Sequence, residues 1–133
     1  MVKKRGRCEI IFPIVLFLPL VSRDSYKIMI RILHTADWHL GQTFFGYDRT
    51  GEHEVFLNWL AEEIRQKEID ALIIAGDVFD VSNPSAASQR IYYEFIYRVT
   101  AENPKLQIVI VAGNHDSAAR LEAPLPLLQA MRT

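Results

Sequence analysis

The chain has 133 residues, half of them apolar, which is enough for one domain with a core of ordinary size and too few for several. A single cysteine, Cys8, excludes an intramolecular disulfide and a cysteine-based zinc cluster, and fits a reducing compartment. The formal charge of −1 hides an asymmetry: residues 1–28 carry six basic and two acidic side chains, net +4, leaving −5 for residues 29–133. That acidic remainder argues against a nucleic-acid surface built on net positive charge and suits carboxylates that face cations.

Residues 1–28 differ from the rest. The basic run at residues 3–7 precedes an apolar stretch over 10–21 that Pro13 and Pro19 interrupt. A basic region ahead of a short apolar one is the layout of a secretory signal and is too short to span a bilayer. No small-x-small cleavage site follows, however, and the two prolines break any helix. The segment reads as a non-native or upstream extension ahead of a natural start at Met29, with a signal or anchor as one alternative and a structured element as another. Residues 29–133 read as one α/β unit.

From Ile30 the pattern is regular. Residues 30–34 predict a short strand, and the aliphatic runs at 70–75 and 106–111 predict strands buried on both faces. Between the first two lies an amphipathic helix, with Val55, Phe56, Trp59, Leu60 and Ile64 inward and Glu62, Glu63, Arg65, Gln66 and Lys67 outward. A second helix starts at Pro84 after Asn83 as a cap and buries Ile91, Phe95 and Val99. Strand, helix, strand, helix, strand predicts a parallel βαβαβ sheet with right-handed crossovers.

Each strand exit carries possible metal ligands: Asp37-Trp38-His39, then Gly76-Asp77-Val78-Phe79-Asp80, then Gly113-Asn114-His115-Asp116. Ligands bind outside the carboxyl ends of parallel strands, so the three segments share one edge. Alternation along an extended chain puts Asp37 and His39 on one side and Trp38 on the other. Gly76 and Gly113 permit tight exits. Taken singly, each segment is also an ordinary polar turn or helix cap; the series, in this order, is the signal. Hard-metal phosphoester chemistry needs such oxygen and imidazole ligands converging from separate strand ends.

These three motifs resemble the signature of the calcineurin-like metallophosphoesterases, and the flanking residues 32–42, 75–80 and 112–117 are similar to the DNA-nuclease branch of that family, which works with a partner ATPase. The resemblance runs from about Ile30 to the end. It implies the first half of a metallophosphoesterase sandwich and Mn²⁺-dependent DNA cleavage, as 3′-to-5′ exonuclease and as hairpin endonuclease. By the same resemblance Asp37, His39 and Asp77 would hold a first metal ion, and Asp77 with Asn114 a second. His115 would serve the departing oxygen, with Asp80 orienting it, and Asp116 would be structural. Two cations ~3.5–4 Å apart can activate a water and stabilise both oxygens of an in-line displacement.

Two later histidine motifs of the family have no counterpart before Thr133, which follows Asp116 by 17 residues. These 133 residues are therefore expected to bind Mn²⁺ weakly and to show little or no nuclease activity. His34 reads as a packed core residue and His53 as a solvated one. Tyr92, Tyr93, Phe95 and Tyr97 with Arg90 and Arg98 read as a helix covering the sheet rather than as a nucleic-acid surface. Leu121, Leu125, Leu127, Leu128 and Met131 form an apolar segment that reads most simply as packing against a second half of the domain and that, by the family resemblance, would alternatively contribute to a nuclease homodimer. A nucleotidase or phosphoprotein phosphatase would use the same ligands, and would be favoured if residues 1–28 were a true export signal. An inert remnant or binding-only subunit is the non-enzymatic reading. No membrane partner is expected.

Overall fold

The computed structural model describes residues 14–21, 27–123 and 126. A four-stranded sheet is built from β1 (Ile14–Val21), β2 (Lys27–Thr35), β5 (Ala71–Ala75) and β6 (Gln107–Val111), in the order β1-β2-β5-β6. Strands β2, β5 and β6 are parallel, with Leu33 beside Leu72 and Leu72 beside Ile108. Strand β1, for which the sequence pattern supplied no fold argument, pairs antiparallel with β2. Between β2 and β5 come a small separate hairpin, β3 (Thr43–Phe44) with β4 (Tyr47–Asp48), and helix α1 (Thr50–Gln66). Helix α2 (Ala86–Glu102) connects β5 to β6, and the short α3 (Ala118–Glu122) follows.

The parallel strands advance in one direction across the sheet, so two right-handed crossovers place both helices on the same face, and α1 and α2 pack on each other. The core lies between them and the sheet. Leu33, Leu72 and Ile74 meet Leu57, Leu60, Ala61 and Ile64 of α1 and Ile91, Phe95 and Val99 of α2 in one buried cluster.

Alternation decides which side chains of the strands reach that core. Residues of opposite parity point to the other face, where Val109 is 50 % and Val111 55 % exposed. The expectation of strands buried on both faces therefore fails at β6. His34 shares this less covered face, beside Ile73 and Val109 in register, and is only half-buried.

Helix α1 also turns differently from the predicted face. Val55 and Trp59 are exposed, and the buried positions are His53, Leu57, Leu60, Ala61 and Ile64. The buried stripe runs through 53, 57, 60 and 64 at steps of four, three and four residues, and it includes His53, which the sequence pattern predicts to be solvated. Helix α2 begins two residues later than predicted: Ser85, not Asn83, is the cap, its Oγ accepting from Ser88 N at 3.1 Å. Tyr92 and Phe95 of α2 are buried, as a covering helix requires, while Tyr97 is half exposed. Leu121 is buried; Leu125, Leu127, Leu128 and Met131 lie outside the described residues.

The burial of His53 has a pH consequence. Its Nδ1 has no hydrogen-bond partner, and burial first, then the charge of Arg49, hold its pKa below the ordinary 6.5 against the opposing pull of Glu52, Asp48 and Asp80. The folded chain therefore keeps the ring neutral, while the unfolded chain takes up a proton as pH falls below about 6.5. The unfolded state then binds more protons, so this group's contribution is full above that value and declines on acidification. His53→Leu should flatten that part of the pH dependence, measured as urea unfolding free energy between pH 7.5 and 5. Equal slopes in the two proteins would exclude His53 as the source.

Candidate metal centre

The site is built where the chain leaves β2, β5 and β6. Beyond β2 the backbone stays parallel to the segment after β5: Asp37 N donates to Gly76 O at 3.0 Å, His39 N to Asp77 O at 2.9 Å and Leu40 N to Val78 O at 2.9 Å. Asp80 N returns a bond to Leu40 O at 3.1 Å. These bonds hold the first two motifs side by side.

Apolar residues interleaved with the polar ones nail both segments to the core. Trp38 is buried, stacks edge-on against Phe56 and Phe95, and donates from Nε1 to Thr35 Oγ1 at 2.8 Å. Leu40, Val78 and Phe79 are fully buried. Each such side chain contributes about 1.5–3 kcal/mol, so the loops that carry the candidate ligands are fixed by the same hydrophobic burial that folds the domain.

The predicted separation of Asp37 and His39 from Trp38 holds, but not through an extended backbone. Asp37, His39 and Asp77 have φ of 53°, 48° and 49°, in the left-handed region that few residues with a Cβ adopt. Gly76, with φ 89°, shares it. Three non-glycine residues in this conformation within one site are stored strain that the surrounding bonds enforce.

One ligand atom from each of Asp37, His39 and Asp77 lies within 4.8 Å of the other two. Two ligand atoms ~2.1 Å from one hard cation are at most ~4.2 Å apart, so a small side-chain rotation turns this cluster into one face of a coordination sphere. The Asp37 carboxylate makes no hydrogen bond among the described residues, and Nδ1 of His39 faces the Asp80 carboxylate, which leaves Nε2 as the His39 atom for an ion. A cation is what such a donor set fits.

The third motif closes on the second. His115 N donates to Asp77 Oδ1 at 3.1 Å, and the rings of His39 and His115 meet edge to face with centroids 5.4 Å apart. Asn114, between Gly113 and His115, therefore lies on the same rim, with an exposed side chain. His115 Nδ1 is 2.8 Å from the backbone carbonyl of Asp80; a carbonyl only accepts, so Nδ1 carries the proton and Nε2 is left free. The Asp80 carboxylate faces the other ring, with Oδ1 3.3 Å from His39 Nδ1. Asp80 thus serves both imidazoles, one through its backbone and one through its side chain.

Asp116, read from the sequence as structural, ties the two exits together. Its Oδ2 accepts from Val78 N at 3.1 Å and Gly113 N at 2.9 Å, and its Oδ1 from Phe79 N at 2.8 Å. The positive-φ backbone and the double use of Asp80 had no sequence signal beyond the tolerance of Asp and His for left-handed positions.

Gly113 is required by this closeness. A Cβ there would overlap the backbone N and Oδ1 of Asp77 and sit 2.8 Å from its Cγ. Gly113→Ala should push Asp77 out of the cluster, costing about 1–3 kcal/mol of stability and most of the affinity for Mn²⁺. Unfolding and metal titration of the same preparation check both; an alanine variant with unchanged metal affinity would show that the two loops have room to spare.

The family profile described as Calcineurin-like phosphoesterase matches residues 30–131. The chain is 52 % identical over 101 residues to the SbcD component of the nuclease SbcCD from Rhodobacter capsulatus, covering 76 % of this chain and 25 % of that protein. It is 42 % identical over 103 residues to the SbcD protein of Escherichia coli K12, covering 77 % and 25 %, and 44 % identical over 97 residues to that of Bacillus subtilis, covering 73 % and 25 %. The chain thus spans about a quarter of the length of the curated relatives it matches. No helix among the described residues is long and apolar enough to cross a membrane. Three strand exits converge on an acid and imidazole cluster within the matched region, and the chain belongs to the calcineurin-like phosphoesterase family.

Proposed function

We propose that this chain is the metal-holding N-terminal part of an SbcD-type DNA nuclease, a cytoplasmic hydrolase of DNA phosphodiesters acting in repair and recombination. The carrying observation is the convergence of Asp37, His39 and Asp77 beside His115; the 42–52 % identity to SbcD nuclease proteins supports the choice of DNA as substrate. Asp37, His39 and Asp77 would hold one ion and Asp77 with Asn114 a second, both Mn²⁺. Divalent ions so held supply an activated water and neutralise charge on the phosphoryl oxygens.

The chain's own residues do the rest. His115, fixed at Nδ1 by the Asp80 carbonyl, would serve the departing oxygen through Nε2 as a general acid. The Asp80 carboxylate orients His39 in the manner of a carboxylate–histidine–metal relay. In this reading the full nuclease acts as a 3′-to-5′ exonuclease and hairpin endonuclease, as a homodimer with the SbcC ATPase.

The test is Mn²⁺ titration by electron paramagnetic resonance, with binding of a fluorescent DNA duplex followed by anisotropy in the presence of the metal. Expected are weak Mn²⁺ binding and DNA binding that rises with Mn²⁺ and is lost on chelation. Displacement of DNA by nucleoside monophosphates at equal concentration would overturn the choice of substrate, and absence of Mn²⁺ binding would overturn the metal centre itself.

A further inference from the structure

The hairpin that follows the first motif contributes no side chain to the core among the described residues. Phe44, Phe45 and Tyr47 are 59 %, 88 % and 76 % exposed, and β3–β4 forms a sheet separate from the main one. Phe45 and Gly46 occupy the two-residue turn with φ of 48° and 81°, the geometry that hairpins fill with Asn-Gly or Gly-Gly. A phenylalanine in that position is strained and gains no burial against the described residues.

The hairpin is free at its tip and fixed at its base. A Cβ on Gly46 would meet nothing within 4 Å, whereas one on Gly41 would stand 2.6 Å from Ser88 Oγ of α2. Gln42 N donates to His39 O at 2.9 Å, and Arg49 Nη1 to Gln42 Oε1 at 2.8 Å. Asp48 accepts from Thr50 N and Thr50 Oγ1 at the start of α1. The base therefore begins on a candidate metal ligand, and the tip, six residues on, stands no more than ~20 Å from His39 along the chain.

We propose that this hairpin is a stacking platform for unpaired bases of the nucleic acid whose phosphodiester lies at the metal centre, a proposal that rests on the nuclease reading above. The Phe44 and Phe45 rings meet edge to face, with centroids 4.6 Å apart, which leaves ring faces open to a nucleobase. Residues 42–48 carry no cationic side chain, so the hairpin offers π faces and no charge for the backbone. Base stacking on aromatic rings is tolerant of sequence and, unlike phosphate contacts, nearly independent of salt. A duplex end that frays, or a hairpin loop, supplies such bases.

The experiment uses the whole chain with Mn²⁺ and a fluorescent duplex bearing a single-stranded overhang with 5-iodouracil. Expected are photo-crosslinks at residues 44–47 and a roughly ten-fold loss of overhang binding in Phe45→Ala that persists between 50 and 200 mM salt. Phe45→Leu should lose as much, and Phe45→Trp should bind at least as well as the original, since stacking needs a ring and not merely an apolar surface. DNA binding by the unaltered chain with no effect of Phe45→Ala, or with Phe45→Leu equal to the original, would overturn the platform and leave the nuclease reading standing. Failure of the unaltered chain to bind DNA with Mn²⁺ would overturn both.

Discussion

Asp77→Asn should lower the affinity for Mn²⁺ by at least ~100-fold while leaving the fold in place. Substitutions that only reach a metal through another ligand typically lower affinity ~10–100-fold, and Asp77 is one of three side chains whose ligand atoms cluster within 4.8 Å. The substitution is nearly isosteric. An asparagine Oδ1 still accepts from His115 N, the bond that Asp77 makes at 3.1 Å, and asparagine adopts the left-handed conformation readily, so the φ of 49° is retained. Only the charge is removed, and with it the repulsion between the Asp37 and Asp77 carboxylates. Metal binding and stability are therefore expected to part company: Mn²⁺ titration shows the loss, and urea unfolding without metal shows equal or slightly greater stability. An affinity within a few-fold of the original would mean that the cluster is not what holds the ion.

The order of elements and the placement of the three motifs were legible because they rest on strong local signals. Aliphatic runs at 71–75 and 107–111 form the parallel strands, and glycine-marked exits put all three motifs on one edge. What escaped was decided by packing. Nothing in the repeat of α1 says whether Val55 and Trp59 or His53 and Leu57 face inward, since both sets recur at helical spacing; the way the helix lies against β2, β5 and α2 selected the second. Strand β6 has the hydrophobicity of a doubly covered strand, yet Val109 and Val111 are exposed, because composition records what a strand can bury and not what covers it. At the site the residue types were readable and the backbone was not. Asp37 and His39 reach the same side through left-handed conformations rather than by pleat alternation. The turn Phe45-Gly46 carries only a weak signal, two residues between short β-forming pairs, because a phenylalanine stands where such turns favour asparagine, aspartate or glycine.

Such a site needs its strand exits held against their own strain, and Asp116 is the group that does so. Its carboxylate accepts from Val78 N, Phe79 N and Gly113 N, joining the segment that carries Asp77 and Asp80 to the one that carries Asn114 and His115. A hydrogen bond to a charged group is worth about 1.5–3 kcal/mol. Partial burial lets water replace some of what is lost, so Asp116→Ala is expected to cost about 3 kcal/mol in all rather than the sum of three bonds. Asp116→Asn should fall between, because its one acceptor oxygen serves at most two of the donors and its NH₂ is turned on the third. Metal affinity should follow the same order and drop ~10–100-fold in the alanine variant, although Asp116 is not in the ligand cluster. Chemical unfolding and Mn²⁺ titration of both variants supply the measurement. If alanine cost less than about 0.5 kcal/mol, as an ordinary surface substitution does, with Mn²⁺ affinity intact, the pairing of β5 with β6 and the His115–Asp77 bond would suffice to hold the two exits together.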